Sequence, residues 1–167
     1  VQAESFQADL QKEVSYALGA DLRVGTTSRP FSFSETLEEY PGVNRATPIL
    51  RTWAQLGTER MTLEAVDAIQ YSLIGKFDPS SFYGEDSSFL LSRLSSTPNG
   101  ILLSDYHASR WNKSVGDTLN LRIGGRLQAV YVSFQVLGLV QSAPGFGYAS
   151  SEDIPPSRLG PAFGFQA

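Results

Sequence analysis

The chain has 167 residues, a formal net charge of −4 and no cysteine. Its length suits one domain, or one domain with a small lobe, and 41% hydrophobic residues are enough to form a core. The acidic balance and the scattered Lys and Arg residues argue against a nucleic-acid-binding protein and against a polybasic membrane-surface patch. The absence of cysteine excludes disulfides, thiolate metal sites and cysteine nucleophiles, but it does not fix the compartment.

A helix is predicted for residues 1–18, because Phe6, Leu10 and Val14 recur at helical spacing. Gly19 is a natural end for this helix, since glycine tolerates the left-handed conformation that often follows a helical C-terminus. These three apolar residues therefore define the expected docking face of the first helix.

The next elements alternate between short strands and short helices. Residues 21–24 predict one strand, and a capping-box pattern predicts a helix over 32–40. Two strand-like runs follow at 44–56 and 61–71, separated by a gap of hairpin size. An apolar helical face then predicts a helix that begins near residue 86 or 87 and ends before a Pro-Asn-Gly turn.

Residues 100–147 carry clear patterns of secondary structure and few side chains suited to catalysis. An apolar run at 101–103 predicts a strand, and Ser104 is suited to cap a short helix after it. Apolar and polar side chains alternate from Thr118 up to the pair Gly124-Gly125, and a long run rich in β-branched and aromatic residues follows. This pattern predicts a long β-hairpin.

Together these elements predict an α+β domain with two lobes. Residues 1–103 form an α/β lobe with a mixed sheet and flanking helices, and residues 104–143 form a small β lobe. The Pro- and Gly-rich segment 144–167 is not a regular helix, and we interpret it as a tail that leads to a missing remainder of the domain or packs irregularly. Because no initiator methionine and no signal peptide are present, we expect an excerpt or a processed product.

Few residues suggest catalysis. His107 is the only histidine, and without a positioned carboxylate it is best explained as a packing or surface residue; the alternative is a pH-sensitive contact with a partner. Adjacent carboxylates such as Glu38-Glu39 point in different directions on a helix and are typical of a solvated surface. Gly145-Phe146-Gly147 lacks the third glycine and the helix of a dinucleotide-binding loop. We therefore predict no catalytic, cofactor-binding or metal-binding residue.

Aromatic residues in loop-like surroundings are the better candidates for function. They either anchor loops on the body of the domain or form an exposed contact surface for a partner protein or an amphipathic substrate. The candidate contact residues are Phe77, Phe82, Tyr83, Phe146 and Tyr148.

Several short segments also occur in an order that resembles one family. They are the strand 101–103, the pair Gly116-Asp117, the Val-Leu-Gly-Leu-Val run at 136–140 with Pro144-Gly145 after it, and the earlier segments 19–24, 40–43 and 63–67. In this order they resemble the extracytoplasmic, or periplasmic core, domain of FtsX-like and MacB-like ABC transporter permeases. The resemblance covers most of residues 1–147.

The resemblance implies a non-catalytic domain on the extracytoplasmic face of the cell membrane, within an integral membrane protein. Such a domain couples movement of membrane helices to an external substrate or partner, while a separate cytoplasmic subunit hydrolyses ATP. The implied partners are membrane helices of the same permease, the ATP-binding subunit indirectly, and an extracytoplasmic protein or lipid, with no nucleic acid. Phe6, Leu10 and Val14 would then belong to a coupling helix that docks on the sheet.

Two other function classes remain open from the sequence. The first alternative is a free-standing extracytoplasmic binding module for a peptide, lipid or lipoprotein. The second is a small hydrolase that uses carboxylates alone, which would need an acidic pair facing a deep cleft.

Overall fold

The computed structural model describes residues 10–11, 14–27, 29–83, 85–124, 129–146 and 161–164. The helices are α1 (Phe33–Glu38), α2 (Ala68–Ile74), α3 (Ser87–Ser96) and α4 (Asp105–Arg110), with a 3-10 turn at Pro79–Phe82. The strands are β1 (Ile49–Leu56), β2 (Glu59–Val66), β3 (Gly100–Ser104), β4 (Thr118–Gly124), β5 (Ala129–Val140) and β6 (Pro161–Gly164). Residues 10–11 and 14–18 are also helical, and we call them the N-terminal helix.

All six strands belong to one closed sheet, in the hydrogen-bonded order β1-β2-β6-β3-β5-β4. β1 and β2 form an antiparallel hairpin, as do β4 and β5, and β1 pairs with β4 through Ala54 and Ile123. β3 runs parallel to β5, and β6 lies between β2 and β3. This is the predicted α+β fold. Strands from both predicted lobes pair within this one sheet, and the division into lobes at 1–103 and 104–143 stays a prediction.

The side chains form two buried clusters on opposite faces of this sheet. Along β3, Ile101 and Leu103 point to one cluster and Leu102 to the other, as the two-residue period of a strand requires. The first cluster fills the interior of the closed sheet, and the second lies between the sheet and the helices α2 and α3. The interior cluster comprises Ala54, Met61, Leu63, Ile101, Leu103, Ala108, Leu119, Leu121, Phe134 and Val136. The helix-facing cluster comprises Val66, Ala68, Tyr71, Phe82, Leu90, Leu91, Leu94, Leu102, Leu137, Val140 and Ala143.

Side-chain caps explain where several helices begin. The carboxylate of Asp67 accepts hydrogen bonds from the amides of Ile69 and Gln70, and this cap starts α2 immediately after β2. The predicted strand over 61–71 is therefore wrong beyond Val66. At α1, Ser32 makes no side-chain capping bond, so the predicted capping box does not form.

Two other predicted strands also differ from the structure. β1 begins at Ile49 and not at residue 44, directly after Pro48, which has no N–H to donate to a strand ladder. Residues 21–24 form no strand, and the side chain of Arg23 contacts Glu64 of β2. Among the described residues, we find no helix with the length and apolar character needed to cross a bilayer.

Candidate functional site

A buried carboxylate, Glu64 of β2, lies between two arginines. Arg51 stands directly opposite Glu64 in the β1/β2 ladder, so both side chains project from the same face of the sheet. The Arg51 Nε and Nη2 atoms lie 2.6 and 2.5 Å from Glu64 Oε1, and Arg23 Nη2 lies 3.1 Å from the same oxygen. Glu64 is fully buried, whereas the arginine side chains reach solvent at the edge.

The turn after β5 completes this site. The carbonyl oxygen of Gly145 accepts hydrogen bonds from Arg23 Nη1 at 3.1 Å and from Arg51 Nη2 at 2.7 Å. Gly145 has a φ of +90°, and a Cβ at this position would lie 3.0 Å from Arg23 Nη1, so both conformation and space favour glycine. We call Arg23, Arg51, Glu64 and Gly145 the Glu64 cluster.

Two guanidinium groups contact one buried acid, so their charges offset part of the cost of burying the carboxylate. In the described part of the chain, Glu64 Oε2 has no hydrogen-bond partner. Burial, and then the negative charge of Glu64, raises the pKa of Tyr71. Tyr71 therefore stays a neutral hydroxyl donor, and its OH donates to the carbonyl of Pro144 at 2.6 Å.

The end of the N-terminal helix meets the same turn. The amide of Gly145 donates to the carbonyl of Tyr16 at 2.9 Å, and the Tyr16 hydroxyl donates to Ser81 Oγ at 3.1 Å. Gly19 ends the helix with a φ of +80°, and its carbonyl accepts from the amide of Lys76 at 3.1 Å. The Glu64 cluster and the contacts of Tyr16 and Gly19 thus join the N-terminal helix, the β1/β2 hairpin and the turn after β5.

Two of the three predicted coupling residues are exposed in the structure. Leu10 and Val14 are 51% and 52% exposed, and Phe6 lies outside the described residues. The helix docks through Tyr16, which is 3% exposed, so the predicted docking face is wrong. The periodicity indicated the wrong face because a buried tyrosine with a hydrogen-bonded hydroxyl was not counted among the apolar positions.

The predicted aromatic contact residues occupy different environments. Phe82 is 1% exposed and packs in the helix-facing cluster with Phe77, so its placement argues against a partner contact. Phe146 is partly buried, and the Arg51 guanidinium lies 5.1 Å from its ring centre. Tyr83 is exposed and donates to the carboxylate of Asp105; partial burial and this acidic acceptor raise the pKa of Tyr83 to about 12. Tyr148 lies outside the described residues.

His107 is buried and hydrogen-bonded within the fold. Its Nδ1 lies 2.8 Å from Ser104 Oγ, and its backbone amide donates to the same oxygen, which caps α4. Both residues are buried and the Trp111 ring lies 4.7 Å from the imidazole, so this Ser–His pair has no open face for a substrate. Burial lowers the pKa of His107 to about 4. Within the described ranges, no group of three acidic or histidine residues is placed to bind a metal ion.

The sequence analysis missed the Glu64 cluster, although the hairpin pattern does indicate the pairing of Arg51 with Glu64. Once the Gly57-Thr58 turn fixes the hairpin register, Arg51 and Glu64 fall opposite each other. The contact of Arg23 with Gly145 carried no such signal, because these residues are separated by 122 positions and meet only through the tertiary fold.

Comparisons with known proteins find matches among solved structures. No protein-family model matches the chain, and no curated protein matches it. Among solved structures, the extracellular domain of the noncanonic ABC-type transporter YknZ from Gram-positive bacteria is similar, with a TM-score of 0.39 and 16% sequence identity. The match covers 77% of this chain and 58% of that one.

Proposed function

We propose that the chain is a non-catalytic extracytoplasmic domain of an ABC transporter permease that transmits movement of membrane helices to an external substrate or partner protein. The Glu64 cluster is the observation that carries this proposal. A domain that passes on a displacement needs a stiff joint between the segment that is moved and the body that responds. The cluster and its neighbours form such a joint between the N-terminal helix and the sheet.

The position of this joint agrees with the sequence resemblance. Residues 19–24 and the Pro144-Gly145 exit are two segments that resemble the permease domains, and they meet at Glu64. They are distant along the chain, so their contact is a property of the fold. This convergence supports a mechanical role for the cluster.

The absence of catalysis is also part of the proposal. The groups that most often perform acid–base or nucleophilic chemistry are used for packing in the described structure. Ser104 caps a helix, His107 fills a buried aromatic environment, and Glu64 is held by two arginines. Each of these groups is buried.

Expression of the complete gene separates this proposal from a free-standing binding module for a peptide, lipid or lipoprotein. We expect the tagged full-length product to be an integral membrane protein that co-purifies with an ATP-hydrolysing subunit. A product that is released from membranes by alkaline carbonate and purifies without ATPase activity would overturn the proposal and favour the binding module.

The joint itself is tested by spin labels in the complete protein. These 167 residues contain no cysteine, so Leu18→Cys on the N-terminal helix and Ser96→Cys at the end of α3 provide the two labelled positions within this domain. We expect a narrow distance distribution with and without ATP, and a broad one when Arg23→Gln weakens the cluster. Arg29→Gln is the matched control, because Arg29 stacks on Phe33 and lies outside the cluster. A distribution that Arg23→Gln leaves unchanged would contradict a role in transmission.

A further inference from the structure

A row of polar and aromatic side chains crosses the outer face of the sheet. Gln55 of β1 pairs in register with Arg60 of β2 on one side and with Arg122 of β4 on the other, and Arg122 pairs with Tyr131 of β5. Directly paired residues project from the same face, and so does Trp53, two positions before Gln55. We call these five residues the arginine–tryptophan row.

The two arginines share one aromatic ring. The guanidinium carbon of Arg60 lies 5.0 Å from the centre of the Trp53 ring, and that of Arg122 lies 5.5 Å from it. Arg122 Nη1 also donates to Gln55 Oε1 at 3.2 Å. Stacking and this hydrogen bond restrict both guanidinium groups before any ligand arrives, which lowers the entropy cost of binding.

The charges in this row are not balanced within the described structure. Arg23, Arg51 and Arg110 each contact a carboxylate, whereas Arg60 and Arg122 have no ion pair among the described residues. Two like charges therefore lie beside one indole on a protein whose formal net charge is −4. Tyr131, at the end of the row, is 75% exposed. Within the described residues, the row is therefore a local cationic and aromatic surface with no acidic side chain paired to it.

We propose that the arginine–tryptophan row binds an acidic segment of a partner protein. A guanidinium group presents a planar fork of N–H donors that matches a carboxylate, and the stacking on Trp53 fixes that plane. Four neighbouring strands span about 14 Å, which suits an extended segment with more than one carboxylate. The Trp53 ring lies between two charges, and the row carries no large aliphatic side chain for insertion into lipid, so the chemistry favours a protein partner over a membrane surface.

This binding site goes beyond the proposed function and does not depend on it. The test is fluorescence anisotropy of a fluorescein-labelled poly-glutamate peptide, with poly-glutamine as the uncharged reference. We expect poly-glutamate to bind at low ionic strength and salt to weaken it, and Arg60→Gln and Arg122→Gln to weaken binding about tenfold each. Arg93→Gln is the matched control, since Arg93 also stacks on one ring, Phe89, away from the row. It should leave the affinity unchanged.

Two further measurements separate the geometry from charge alone. Arg122→Lys keeps the charge but loses the planar fork, so we expect it to weaken binding as Arg122→Gln does. Far-UV circular dichroism confirms that each variant is folded. Failure of the wild-type chain to bind poly-glutamate would overturn the proposal, as would equal loss in all three arginine-to-glutamine variants. Row-dependent binding to phosphatidylglycerol vesicles without binding to the peptide would also overturn it, in favour of a lipid surface.

Discussion

Glu64 is fully buried, while the Arg23 and Arg51 side chains keep relative exposures of 29% and 45%. Transferring a carboxylate from water to a protein interior costs several kcal/mol, which close guanidinium groups offset. The partly exposed arginines contribute less than a fully buried pair would, because solvent screens them. Removal of the acid should therefore lower the free energy of unfolding more than removal of either arginine.

Glu64→Gln is the first prediction. We expect it to lower the free energy of unfolding by roughly 2 kcal/mol, because two guanidinium groups lose their common carboxylate while part of their charge still reaches water. Urea denaturation followed by tryptophan fluorescence measures the change. The exposed Glu85→Gln is the control, and we expect it to stay within about 0.5 kcal/mol of the wild type. Equal effects of the two substitutions would contradict a special role for Glu64.

His107 gives a prediction about pH. Burial lowers the pKa of His107 from 6.5 to about 4, so the unfolded chain binds a proton more readily than the native protein does. The contribution of neutral His107 to stability is complete above about pH 6.5 and is lost as the pH falls towards 4. Between about pH 7.5 and pH 5 the loss due to this group should be about 2 kcal/mol.

His107→Asn is the matched variant for this measurement, because an amide keeps a polar atom near Ser104 and does not titrate. Carboxylates also titrate in the acidic range, so the informative quantity is the difference in pH dependence between the wild type and His107→Asn. We expect the variant to show the shallower decline in urea midpoint. Parallel curves for the two proteins would show that His107 does not titrate as a buried imidazole.

At the scale of elements, the N-terminal helix is positioned by a close backbone approach. A Cβ on Gly19 would lie 2.7 Å from the backbone nitrogen of Gly145, and Gly19 has a φ of +80°. Gly42 has a φ of +90° with nothing within 4 Å of its Cβ position. The two glycines share the conformational requirement but only Gly19 has the close contact.

Gly19→Ala should therefore separate the helix from the turn after β5, whereas Gly42→Ala should not. Both substitutions should lower the free energy of unfolding by roughly 1 kcal/mol, because alanine is strained in the left-handed conformation. Gly19→Ala should lower it by about 2 kcal/mol more, because its Cβ overlaps the backbone of Gly145. Hydrogen exchange measured by NMR should show faster exchange at the amides of Gly145 and Lys76, which donate to Tyr16 and Gly19. Unchanged protection at both amides in Gly19→Ala would refute the docking described here.

The sequence predicted some elements well because a strong local pattern defines them. α3 begins at Ser87 as the apolar spacing indicated, and the alternation after residue 118 becomes the β4/β5 hairpin. The boundary between β2 and α2 was missed because the apolar run continues across it. Only the hydrogen bonds of Asp67 mark the change, and a single capping residue is a weak signal inside a strand-like pattern.

The candidate site could be predicted only in part, because it is formed by contacts between residues far apart in the sequence. The sequence analysis singled out the Pro144-Gly145 exit and the segment 19–24, because both resemble segments of the permease domains. It did not indicate that they meet at a buried glutamate, because no periodicity relates positions so far apart. A buried acid looks the same as a solvated one in sequence, so its partners emerge only from the fold.

At the scale of the whole molecule, the two buried clusters share their strands. β2, β3 and β5 contribute side chains to both the interior cluster and the helix-facing cluster. A substitution that destabilises one cluster should therefore destabilise the other as well, and the molecule should unfold in one cooperative step.

Leu121→Ala in the interior cluster and Leu90→Ala in the helix-facing cluster test this cooperativity. Both leucines are fully buried, so each substitution should cost about 3 kcal/mol through lost contacts and a cavity. Tryptophan fluorescence and far-UV circular dichroism should report the same urea midpoint in each variant. Two separated transitions would instead support independent lobes divided near residues 103 and 104.

The position of β6 has a consequence for biosynthesis. A nascent chain released from the ribosome only as far as Val140 contains five strands, yet β2 and β3 both lack their neighbour until residues 161–164 emerge. Two open strand edges are then available for pairing with other polypeptides. The sheet closes only once residues 161–164 have emerged, so holdase chaperones would protect this chain most effectively between the synthesis of β5 and that of β6.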